Sequence, residues 1–169
     1  MTAPSPVRTP GFDAWAQVHA RDHVTRYLRR GAGRPVIALG DAAAADARWP
    51  EIVEALAGRY RAVLPERPSD ADFDGWLGGF LDGLGASPAV VVAAGALCCP
   101  LALAFARLDA GRLARLVLLP AGEADAVRLG AAIAEQRPLV PLLLVPPAAD
   151  AADAAARVLA FLEGPAPTG

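Results

Sequence analysis

Residues Ala89–Ala93 (AVVVA) are apolar at every position, with Pro88 before them and Gly95 shortly after. A strand without a polar face must be covered on both sides, as a central strand of a parallel sheet is by its helices. Parallel neighbours need a crossover between them, so this one run commits the chain to alternating strands and helices.

The rest of the chain supplies that alternation. Trp15–Ala20 and His23–Arg29 read as short strands around an Arg21-Asp22 turn, and Gly31-Ala32-Gly33 leads into a buried strand, Pro35–Leu39. A helix over Trp49–Ala57 has Pro50 in its first turn and ends at Gly58, before a strand at Arg61–Leu64. Phe73, Trp76, Leu77, Phe80, Leu81 and Leu84 form an i, i+3, i+4, i+7 stripe, which predicts a helix over Phe73–Leu84. Helices at Leu101–Leu108, Ala124–Glu135 and Ala151–Glu163 then alternate with strands at Leu113–Leu119 and Leu139–Val145. The expected architecture is α/β: a three-layer α/β/α sandwich whose sheet is mostly parallel, with an antiparallel N-terminal hairpin. One domain is expected over 12–163, with flexible tails at 1–11 and 164–169, both rich in proline.

Composition narrows the function. The 169 residues carry a formal net charge of −2, which gives no reason to expect nucleic acid. No apolar run approaches the roughly 18 residues that span a bilayer, so a cytoplasmic protein with no membrane partner is expected. All 16 basic residues are arginine, a coding bias that points to a GC-rich bacterial genome. Cys98 and Cys99 are the two cysteines, and His19 and His23 the two histidines. That set offers no disulfide framework and no metal-ligand spacing, so neither a metal nor another cofactor is expected.

Three stretches resemble the α/β-hydrolase family. Arg30–Gly40 (RGAGRPVIALG) is similar to its Gly-rich turn and the strand ending in His-Gly. Trp49–Pro65 (WPEIVEALAGRYRAVLP) is similar to its first helix and next strand. Ala89–Gly122 reads VVVAAGALCCPLALAFARLDAGRLARLVLLPAG from Val90 on, and follows the nucleophile strand, elbow, helix and next strand without a gap. The resemblance covers nearly all of Trp15–Glu163 and implies a reduced hydrolase-like core. Between Pro120 and Pro138 there is room for one helix, so no cap domain is expected there.

The signature itself is missing. In the register of the resemblance Ala96 takes the nucleophile position of Gly-x-Ser-x-Gly-Gly, Ala94 replaces the first glycine, and Cys98 and Cys99 replace the last two. The serines are Ser5, Ser69 and Ser87, none at the end of this strand. The family places its histidine in the loop before the last helix; here that loop is Pro146–Ala149 followed by Asp150, which fits either the acid or the histidine position. Leu39 stands where the family's oxyanion loop has histidine, Gly40 is kept, and Asp41 would repel a developing oxyanion. A carboxylate without base and nucleophile cannot run the triad's proton relay.

Other groups admit two readings each. A thiol at the start of the helix that follows the elbow has its pKa lowered by the helix dipole, which would make Cys98 a nucleophile for ester or thioester hydrolysis; a small buried residue is the plainer account. Arg21, Arg26, Arg29, Arg30 and Arg34 cluster around the hairpin, where they could receive a phosphate or an acidic partner, or simply keep an edge soluble. Asp70, Asp72 and Asp74 alternate before a helix and fit capping better than a calcium loop. Relaxation of Ala96 to ordinary backbone angles is expected once no serine is presented. Three functions follow in order: a catalytically inactive scaffold or accessory subunit binding another protein, in a homo- or hetero-oligomer; a binder of a small apolar or acyl ligand over Leu39, Gly40, Asp41, Leu97 and Cys98; and a residual esterase using Cys98.

Overall fold

A computed structural model describes residues 14–40, 47–68 and 72–165. Seven strands, β1 (Ala14–Ala20), β2 (His23–Arg30), β3 (Pro35–Gly40), β4 (Arg61–Pro65), β5 (Ala89–Ala94), β6 (Leu113–Leu119) and β7 (Leu142–Leu144), form one sheet in the order β1-β2-β4-β3-β5-β6-β7. The β1–β2 and β2–β4 pairs are antiparallel, and the remaining pairs are parallel. The apolar run is thus central, between β3 and β6.

Five helices cover both faces: α1 (Trp49–Ala57), α2 (Phe73–Leu84), α3 (Cys98–Leu108), α4 (Glu123–Glu135) and α5 (Ala151–Glu163). Strand alternation divides the core in two. Ile37, Val63, Val91 and Leu116 face α2, α3 and Leu129 of α4, while Val36, Ala62, Val92 and Val117 face α1 and α5. Inside the first core the Trp76 indole stacks on Phe80 and its Nε1 donates to the Thr25 hydroxyl at 2.9 Å, which satisfies both buried polar groups.

Local chemistry explains the best-defined helix. Asp72 caps α2, its Oδ2 accepting from the Gly75 amide at 2.9 Å, and Gly85 ends it at φ 62°. Glycines on α2 let β1 lie against it. A Cβ on Gly83 would sit 2.6 Å from the His19 carbonyl oxygen, and one on Gly79 would sit 3.0 Å from the Arg21 nitrogen.

The architecture agrees with the expected sandwich and differs from it in detail. β7 covers Leu142–Leu144 rather than Leu139–Val145, and Leu139 is 93% exposed. Pro138 and Pro141 donate no amide, so the ladder starts late, at the Leu116 amide bonded to the Pro141 carbonyl. Gly164, expected at the start of the tail, has its carbonyl accepting from Arg115 Nη2 at 2.6 Å. The hairpin arginines are not one cluster. Alternation along β2 sends Arg29 to the α2 face and Arg30 to the α1 face, where it pairs with Glu54 at 3.4 Å; Arg26 lies over Trp15 and near Glu66. The tail 1–11, Asp41 and Asp70 lie outside the described residues, as does 166–169.

Candidate functional site

The carboxyl ends of β3, β5, β6 and β7 line one edge of the sheet, where open α/β sheets hold their ligands. The chain turns from β5 into α3 at Gly95, whose φ of 101° only glycine adopts freely. The turn is pinned from below, as the Gly95 amide donates to the Leu119 carbonyl at 3.0 Å and the Cys99 amide to the Gly95 carbonyl at 3.3 Å. Ala96 is not among the described residues with positive φ. The sharp turn therefore persists, one residue before the nucleophile position, and Ala96 carries none of its strain.

Neither thiol stands open at this turn. Cys98 and Cys99 are both buried and form no disulfide, and the Cys99 Sγ donates to the Ala93 carbonyl at 3.3 Å. Leu97 is half exposed. The two histidines lie on β1 and β2, three or more strands from β5, which at about 4.8 Å per strand puts roughly 14 Å between them and the turn. The described residues contain no group of three His, Cys, Asp or Glu side chains that could hold a metal.

The loop 146–150 makes structural contacts. β7 pairs directly with β6, and the helix after it, α5, packs with α1 on the opposite face from α4. One loop thus leaves the strand beside β6 and enters the closing helix, so the two positions open to Asp150 fall on the same loop. Its Oδ1 accepts from the Asp153 amide at 2.8 Å, as an N-cap. Arg48, 8% exposed, reaches in from the start of α1 and donates to the carbonyls of Pro146 at 2.8 Å and Ala149 at 3.1 Å. A buried guanidinium that serves main-chain oxygens thus holds this loop in place.

Leu39 is buried in the α2–α3 core, and the Trp49 indole stands 2.7 Å from where a Cβ on Gly40 would be. A cleft of about 340 Å³ opens beside the turn, between α3 and α4. Gly95, Ala96, Pro100, Leu103, Leu129 and Ala132 line it, with Arg107 and the Arg128–Asp125 pair adding its charges. Arg107 fastens α4 across the cleft, donating through Nη2 to the Ala132 carbonyl at 2.5 Å and through Nε to the Gln136 carbonyl at 3.0 Å. Sequence reasoning missed Arg48 and Arg107, because nothing local separates them from the other arginines.

No family model matches the chain, and no curated protein matches it. Among solved structures it is similar to carboxylesterase CesB of Bacillus subtilis (TM-score 0.57, 22% identity, covering 67% of this chain and 45% of that one). It is also similar to the naproxen esterase of Bacillus subtilis (0.57, 16%, 73% and 50%) and to epoxide hydrolase A of Mycobacterium thermoresistibile (0.53, 18%, 63% and 39%). This chain spans half or less of the length of each of these three. At such identities the likeness shows a shared fold.

Proposed function

We propose that this chain, which has the α/β-hydrolase fold, is not a hydrolase and serves as a protein-binding scaffold or accessory subunit. The observation that carries the reading is the turn after β5, where Gly95 and Ala96 present no hydroxyl, thiol or carboxylate. Acyl transfer through a covalent intermediate needs a nucleophile and a base within hydrogen-bond reach, and both histidines sit on the far hairpin. The loop that would bring a histidine back is held by Arg48.

Incubation with a fluorophosphonate probe and with short-chain p-nitrophenyl esters tests the first half. We expect no labelling and no turnover above buffer; ester turnover abolished by iodoacetamide and by Cys98→Ala would restore the thiol-esterase reading. Native mass spectrometry of the protein purified from its own host tests the second half. A second polypeptide bound at fixed stoichiometry supports the scaffold, whereas a small molecule of defined mass supports a ligand binder. The cleft of about 340 Å³ between α3 and α4, lined mainly by apolar groups, favours that second reading.

A further inference from the structure

The amino-terminal edge of the sheet, opposite the turn after β5, holds a second concavity of about 300 Å³. It lies on the α2 face, floored by Tyr27 and bordered by Gly83 and Leu84 at the end of α2. Arg29 and Arg61 both line it, and no acidic side chain among the described residues does. Arg29 pairs with Val63 across β2 and β4, so Arg61, two residues earlier on the same face, is its diagonal neighbour. Diagonal positions in an antiparallel pair lie about 7–8 Å apart, within reach of one another for long side chains.

Two like charges at that spacing on one sheet face repel unless something between them carries the opposite charge. Six other described arginines, Arg26, Arg30, Arg59, Arg112, Arg128 and Arg157, pair with carboxylates. Arg29 and Arg61 have no such partner among the described residues, and they converge in a concave site.

We propose that this pocket binds a doubly charged oxyanion, the phosphate group of a small phosphate monoester, with Arg29 and Arg61 as its two guanidinium clamps. Planar guanidinium groups present paired N–H donors that match phosphate oxygens, and two of them offset a dianion. Gln17 at the rim adds a neutral amide for the organic part of the ligand. The site is independent of whether the opposite edge has any catalytic role.

Titration of the 15N-labelled protein with inorganic phosphate at low ionic strength, against matched chloride, tests this. Saturable shifts are expected at the amides of Gly83, Leu84 and Tyr27. Arg29→Gln and Arg61→Gln should each weaken the apparent Kd by about tenfold, the scale of one lost charge-assisted contact. Arg26→Gln, on the opposite face of β2 beside Glu66, should leave it unchanged. Shifts that fail to saturate, that chloride reproduces, or that survive both Arg29→Gln and Arg61→Gln would overturn the assignment.

Discussion

Glycine at position 95 lets the chain make a sharp turn without asking anything of residue 96. A serine placed there would recover a hydroxyl but neither a left-handed backbone nor a base. Ala96→Ser is accordingly expected to hydrolyse p-nitrophenyl acetate no faster than the parent; a gain of more than about tenfold would show that a base reaches the turn. Glycines elsewhere divide by their surroundings. Gly83→Ala pushes a methyl to 2.6 Å from the His19 carbonyl and is expected to cost about 1–3 kcal/mol in chemical denaturation. Gly130→Ala, with nothing within 4 Å of its added Cβ, should gain about 0.5–1 kcal/mol from helix propensity alone. At this scale the glycine turn after β5 was legible, since it needs only the identity of one residue after an apolar run. Arg48 was not, because its partners Pro146 and Ala149 lie about a hundred positions away along the chain.

Helix ends show how arginine organises the elements. None of α1, α2, α4 and α5 carries a basic residue in its last turn, where one would favour the helix dipole. Arginines from other elements reach three of these ends. Arg107 serves α4, Arg112 reaches the Gly78 carbonyl and Asp82 of α2, and Arg115 serves Phe161 and Gly164 at the end of α5. For α4 the contact matters most, because Leu129 is its one buried residue. Arg107→Ala should speed hydrogen exchange across Glu123–Glu135 while the amides of β5 and β6 keep their protection. Equal loss of protection in both would mean that α4 is integral to the core. Sequence periodicity found every helix, since each needs only its own stripe or cap. It could not find these ties, which join residues from different elements.

Across the whole molecule the fold was legible because the strands are short apolar runs set apart by glycine and proline. β7 was overextended for a related reason: Leu139 and Val140 are as apolar as a strand requires, yet the prolines around them withhold the amides that pairing needs. The α3–α4 cleft was not legible, as it depends on how far α4 stands from the sheet. Both hydrophobic cores share one sheet, with β5 contributing Val91 to one and Val92 to the other. Trp76 reports on the first core and Trp49 on the second. Unfolding should therefore be a single transition, with tryptophan fluorescence and far-UV circular dichroism giving coincident curves; separated midpoints would mean the two layers come apart independently.

Arg107 grips α4 only through main-chain oxygens, at Ala132 and Gln136. Carbonyls are the same whatever side chain they carry. Apart from Leu129, Ala132 and Ile133, which pack on the core, the segment can therefore drift through many sequences and stay moored in one place. The wall of the cleft is thus the part of this protein most open to change at little cost to folding, and related chains should differ there first.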